Sequence, residues 1–250
     1  MISAKQIYDY IDSIAPFSSQ MGFDNSGLIV GCESATSDRV LVALDLTKSV
    51  LDEAVNTGAA IIVTHHPVIF DPLKSLLSDS IPYLAAKLGI TVISAHTNLD
   101  IARGGVNDTL ARAVCVDPEI RLDDECVCIG RLKNAECCRA FAEKIRDKLD
   151  LKGIRFTDTG RDIRTVAVSC GAGGDSVFTA KKYGADAVVT GEIKHHEILF
   201  AKNNDVAVFD LGHYGSEKLI VPVLSDMLQG HFADAEFIAS MQDTDGIMYC

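Results

Sequence analysis

A chain of 250 residues is long enough to bury either one large core or two of ordinary size. Its formal charge of −12 excludes the clustered Lys and Arg with which a sequence-independent nucleic-acid binder neutralises phosphates, although a single nucleotide stays within reach. No stretch is apolar for long enough to cross a bilayer, so neither a membrane nor sequence-specific nucleic acid is expected among its partners.

The first thirty residues mix acids into the apolar positions and lack the uninterrupted core of a signal peptide, which makes the cytoplasm the expected compartment. The eight cysteines are spread along the chain. Neither Cys126-x-Cys128 nor Cys137-Cys138 has zinc spacing, and reduced, mostly buried thiols are expected. Ser3 and Gln6 stand at capping-box spacing, and Ile7, Tyr10, Ile11 and Ile14 recur at helical period, so the chain is predicted to open with an amphipathic helix. Short β-branched runs then alternate with helical stretches. Strands are read, in order, at GLIVG, RVLVALDL, AAIIVTH, TVISAH, CVCIGRL, TVAVSC, ADAVVTG, VAVFDL and AEFIAS. Helices are read at SVLDEAVNTG, IPYLAAKLG, VNDTLARAV, NAECCRAFAEKIRDKLD and SEKLIVPVLSDML. The class is α/β with mostly parallel sheets.

At an offset of 126, VLVA (40–43) falls on VAVS (166–169) and AVNTGAAIIVT (54–64) on AKKYGADAVVT (180–190). The second pair matches at Ala54/Ala180, Gly58/Gly184, Ala59/Ala185, Val63/Val189 and Thr64/Thr190. Two related α/β lobes are therefore expected, 1–125 and 126–250, joined near 118–130, with the extreme C-terminus packing back on the first.

The histidines fall where parallel strands end, which is where such sheets open their ligand sites. His65 and His66 follow IIVT, His96 follows TVISA and leads to Asp100, and His213 follows VAVFDLG. Each element has a plainer reading as a hydrogen-bonded or solvated residue, and His231 is read as structural. The joint pattern is what points to metal. Adjacent His65 and His66 point in different directions and suit two ions rather than one. In GHYGSE, His213 and Glu217 share a helix face at i,i+4. Asp100 and Glu217 can bridge, so five side chains would hold two divalent ions in the layout of a two-metal hydrolytic site. This donor set suits Zn, Fe, Mn, Co or Ni. The site is expected in the cleft between the lobes.

VTHHPVIF, SAHTNLDIARGGVND, GADAVVTGEIKHHE and GHYGSE, in that order, resemble the Nif-three-like family of dinuclear metal-centre proteins, whose members carry the name GTP cyclohydrolase 1 type 2 homologue. FDNSGLIVG fits the start of the family, and the resemblance runs from about residue 20 to about residue 230. It implies the same five ligands, His65, His66, Asp100, His213 and Glu217. It further implies a two-lobed α/β fold and a ring-shaped homohexamer. CGAGGDS (170–176) departs slightly from the family's Gly-rich turn; it is read as a tight turn, with phosphate contact as the minor alternative.

Glu192, His195 and His196 lie at the matching strand end of the second lobe. Glu192 and His196 are the catalytic, proton-carrying candidates, while His96, Asn98 and His195 are taken as groups supporting the ligands. The expected function is a metal-dependent hydrolase whose bridging hydroxide attacks a nucleotide-like substrate, as a cyclohydrolase would. The alternative is a metal-holding assembly or interaction scaffold without turnover.

Overall fold

The repeat read at an offset of 126 is present in the backbone of the computed structural model, which describes residues 1–248. In the first copy, strand Arg39–Ala43, helix Lys48–Thr57 and strand Ile61–Thr64 form a βαβ unit whose strands pair in parallel with Val40 opposite Ile61 and Ala43 opposite Thr64. In the second, strand Asp162–Ser169, helix Ser176–Tyr183 and strand Ala187–Thr190 pair with Val166 opposite Ala187 and Ser169 opposite Thr190. These are the same positions moved by 126, so the register is identical. Gly58 and Gly184 end the two helices in the left-handed conformation, at φ 73° and 69°.

The correspondence extends past the stretches that match in sequence. Strand Thr91–Ser94 and helix Thr97–Ile101 in the first copy match strand Ala207–Asp210 and helix His213–Glu217 in the second, now at an offset of 116. Burial obeys the same rule. Leu41, Ile62 and Val92 pack with Ala54 in one core, and Ala167, Val188 and Val208 pack with Ala180 in the other. Four-residue β-branched strands buried at every position are what a parallel sheet covered on both faces requires.

The chain divides into two compact units: residues 1–99 with 220–244, and residues 100–219 with 245 onward. The first carries a five-stranded sheet in the order Glu236–Ala239, Arg39–Ala43, Ile61–Thr64, Thr91–Ser94, Gly27–Val30, parallel except for the last pairing. The second carries a mixed six-stranded sheet in the order Val116–Leu122, Val127–Cys137, Asp162–Ser169, Ala187–Thr190, Ala207–Asp210, Arg155–Phe156.

This corrects the expected division at 125/126. Residues 118–130 lie inside the second sheet, and helix Val106–Ala113 packs on that sheet's strands, so the second unit begins at Asp100. Strand Glu236–Ala239 pairs in parallel with Arg39–Ala43 in the first unit, whereas residues 245–248, the end of the chain expected to pack there, group with the second.

The opening helix runs Ala4–Ile14 with the Ser3/Gln6 capping box in place. Two helix readings change. Residues 134–137, read as helix, extend the strand Val127–Cys137 because Glu136 and Cys137 pair with Ile163 and Asp162. The stretch 216–228 is split between His213–Glu217 and Ile220–His231, which puts Pro222 in a first turn, where its missing N–H is harmless. Strand Val116–Leu122 went unread because Pro118 lies within it; it forms a sheet edge, where proline is tolerated. All the described cysteines are free, but Cys32, Cys115 and Cys137 are exposed, against the expectation of mostly buried thiols. Cys250 lies outside the described residues. Among those residues no helix is long and apolar enough to cross a membrane.

An added Cβ at Gly58 or Gly184 would meet no atom within 4 Å, so alanine at either position carries only the left-handed backbone penalty. Gly58→Ala and Gly184→Ala should each lower unfolding free energy by about 1 kcal/mol in urea titrations. A gap between the two of more than about 1 kcal/mol would show that the caps are not equivalent.

Candidate metal centre

In the first unit, His65 and His66 follow strand Ile61–Thr64 and His96 follows strand Thr91–Ser94. Backbone bonds carry the turn onward: His65 N–H donates to Ala43 O at 3.1 Å and His66 N–H to Leu44 O at 2.9 Å. The Thr64 hydroxyl donates to His66 O at 2.8 Å and lies 2.8 Å from Ser94 Oγ, clamping the two strand ends together. The three imidazoles converge, with ring centroids 4.9 to 5.5 Å apart. One ligand nitrogen from each lies within 4.8 Å of the others.

Asp24 holds the far side of His96. Its carboxylate is fully buried and accepts from His96 Nδ1 at 2.8 Å, Thr97 Oγ1 at 2.6 Å, Thr97 N at 3.0 Å and Ser26 Oγ at 2.9 Å. Burial pushes the Asp24 carboxyl up, but the bonds from His96, Thr97 and Ser26 outweigh it and hold the group well below the ordinary range.

In the second unit, strand Ala207–Asp210 runs through Gly212 into helix His213–Glu217. The i,i+4 spacing places His213 Nε2 3.1 Å from Glu217 Oε2, while His213 Nδ1 faces Glu192 Oε1 at 2.9 Å. Glu217 and Asp100 are both buried. Cys170, at the end of strand Asp162–Ser169, donates its thiol proton to Asp100 Oδ1 at 3.2 Å. Burial, reinforced by the charges of Asp100 and Glu217, pushes this thiol well up. Ser216 ties the Gly-rich turn to the helix, accepting from Gly171 N at 3.0 Å and donating to His213 O at 2.8 Å.

The glycines of CGAGGDS are explained by close approach. A Cβ on Gly171 would stand 2.3 Å from Glu217 Oε1, and one on Gly174 would stand 2.5 Å from Glu197 Oε2. Two carboxylates occupy the space, which leaves the turn no standing as a phosphate cradle.

These groups fit divalent metal by the chemistry of their donors. Each of four imidazoles presents Nδ1 to an oxygen that can only accept: His65 to Ala95 O at 2.8 Å, His66 to Asp45 at 2.8 Å, His96 to Asp24 and His213 to Glu192. That puts a proton on Nδ1 and turns Nε2 toward the site, the arrangement by which outer carboxylates and carbonyls orient ligating histidines. His213 Nε2 and Glu217 Oε2, 3.1 Å apart, offer donor atoms to the same place.

The remaining candidates fall differently. Glu192 is more than half exposed and bonds His213. His195 and His196 are exposed on helix His195–Asn203, with His196 Nε2 3.9 Å from Glu197. Asn98 is buried and its Nδ2 donates to Ala15 O at 2.7 Å, a tie to the end of the opening helix. His231 stacks on Tyr10 at 4.1 Å, in keeping with a structural role. Asp24, Asp45 and Cys170 were missed. For Asp45 and Cys170 the strand-end rule that found the histidines was available; for Asp24 the signal was the FDNSG stretch itself.

The sequence profile of the Duf34/NIF3 (NGG1p interacting factor 3) family matches residues 2–246. A Clostridium perfringens protein named GTP cyclohydrolase 1 type 2 homolog is 33% identical, with 96% of this chain and 96% of that one covered. The Helicobacter pylori protein named GTP cyclohydrolase 1 type 2 is 28% identical over 91% of this chain and 92% of its own length. A crystal structure of a Staphylococcus aureus protein superposes with a TM-score of 0.90 at 27% identity, covering 99% of both chains.

Proposed function

The chain belongs to the Duf34/NIF3 family, and from that premise we propose that it is a dinuclear metal-binding protein. In this reading His65, His66, Asp100, His213 and Glu217 hold two divalent transition-metal ions, Zn, Fe, Mn, Co or Ni, and the protein is a hydrolase acting on a nucleotide-like substrate. The observation that carries it is the set of four imidazoles whose Nδ1 atoms are all committed to acceptors, presenting Nε2 as ligand atoms. Neither unit has a complete set: the first supplies imidazoles, and the second supplies His213 with two buried carboxylates. The reading has the two sets closing on one pair of ions.

Bound divalent cations supply Lewis acidity and a lowered pKa for water. The chain supplies the rest. Asp24, Asp45 and Glu192 fix the imidazole rings, and Asp100 and Glu217 offset the charge of the ions. The net charge of −12 does not repel a nucleotide decisively, because bound cations attract phosphates locally. The name of the Helicobacter relative points to a purine ring as the electrophile.

A second reading, a metal-holding scaffold without turnover that assembles as a homohexamer in the cytoplasm, is favoured by one feature. Phe70, Leu73, Leu76 and Leu77 are exposed along 70–77, apolar surface of the kind that partners cover. A screen of metal-loaded protein against nucleotides, phosphodiesters and small amides separates the two readings. Turnover of a nucleotide supports the hydrolase; metal-loaded hexamers inert to all three classes support the scaffold. Elemental analysis after chelator-free purification should find about two ions per chain, and His66→Ala should keep about one and lose turnover. A metal content near zero would end both readings.

A further inference from the structure

His96 is not among the five proposed ligands, yet its ring lies nearly as close to His65 and His66 as they lie to each other, and the three offer nitrogens to one place although the adjacent pair was expected to serve two ions. The ring centroids lie 5.2 Å from His65 and 5.5 Å from His66, and a ligand nitrogen from each of the three lies within 4.8 Å of the others. All three residues belong to the first unit. We propose that His65, His66 and His96, with Asp24 behind His96, form a capture site that takes up a single divalent ion without His213, Asp100 or Glu217. This rests on the reading of the chain as a metal protein, but not on the presence of a second ion.

The construction of the site argues for it. A merely space-filling histidine needs no buried counter-charge, whereas His96 is backed by a carboxylate with no solvent exposure and four further donors from Ser26, Thr97 and Asn25. A fully buried carboxylate hydrogen-bonded to Nδ1 holds the ring in place and turns Nε2 toward the ion. His66 has a carboxylate on its Nδ1 as well, the half-exposed Asp45 at 2.8 Å. Three imidazoles with two carboxylates behind them leave a divalent ion close to neutral overall, which is how a site compensates for stripping water from the ion. Access fits a capture role as well. His65 is buried, while His66 and His96 retain some exposure, so an ion arriving from solvent meets these two first. Nitrogen donors alone suit Zn, Co, Ni and Cu and disfavour Mg and Ca, so the capture site would also select the class of ion.

The test uses Co(II), which reports imidazole coordination through its visible absorption, on the intact chain. The double variant His213→Ala/Glu217→Gln should still take up one Co(II) per chain with a visible d–d band. Adding His96→Ala should weaken that uptake by at least about 100-fold, and adding Asp24→Asn instead by about 10-fold. Absence of Co(II) from the double variant, or unchanged affinity on adding His96→Ala, overturns the capture site. If circular dichroism shows the double variant unfolded, the His96→Ala single variant decides: weaker binding of the first ion supports the proposal, and unchanged binding overturns it. The dinuclear reading fails separately, if the parent chain cannot be loaded beyond one ion.

Discussion

Glu217→Ala should strip the protein of most of its bound metal. Glu217 is the more buried of the two proposed carboxylate ligands, sits 3.1 Å from His213 Nε2 and is packed against the Gly171 backbone. Loss of an outer partner of a metal ligand weakens affinity by about 10- to 100-fold, and loss of the ligand itself should exceed that. Chelator treatment of the parent chain should lower its melting temperature, since bound metal stabilises only the folded state, and the variant should show little of that response. The measurement is metal content by elemental analysis beside melts with and without chelator. Parent-like metal content in the variant would remove Glu217 from the site and leave the HxxxE spacing as a simple helix pair.

Gly171→Ala should be damaging twice over. At φ +54° an L-residue bears a backbone penalty of about 1–2 kcal/mol. The new Cβ would also stand 2.3 Å from Glu217 Oε1 and 3.3 Å from His213 Nε2. Glu217 is buried and Ser216 Oγ accepts from Gly171 N–H, so neither side can give way without breaking something else. Overpacking of this kind adds about 1–3 kcal/mol, for a combined loss of about 2–5 kcal/mol. Urea titration reads the stability, and elemental analysis on the same sample reads the displacement of Glu217. Stability within about 0.5 kcal/mol of the parent would mean that the turn relaxes freely and the close approach is unimportant.

The sequence carried the repeat and the strand ends because both are local. A β-branched run ending in Thr, followed by His-His or by Gly-Glu, is legible residue by residue, and identical spacing forces identical register. His213 and Glu217 were legible for the same reason, since i,i+4 on a short helix leaves little freedom. Asp24 was not. It precedes strand Gly27–Val30 in an irregular stretch, and its partnership with His96 spans 72 positions with no periodicity to announce it. The division into units was misread because its first boundary falls inside helix Thr97–Ile101, where no glycine, proline or change of composition marks it. Pro118 hid the edge strand that would have shown residues 116–122 to be in the middle of a unit.

The pairing of Glu236–Ala239 with Arg39–Ala43 has a bearing on the birth of the molecule. The residues joined there, as in the Arg39–Glu236 ion pair, are 197 positions apart. At about 5–20 residues per second, a ribosome takes about 10 to 40 s to make the closing strand after the one it must pair with. Throughout that interval the strand Arg39–Ala43, apolar from Val40 onward, presents an unpaired edge, the feature from which sheets aggregate. The second unit meets no such delay, because the contiguous run 100–219 contains all the strands of its sheet and can fold while the chain is still being extended. Newly made protein should therefore pass through a half-folded stage in which the second unit is formed and the first awaits its last strand, the stage at which chaperones would be needed most.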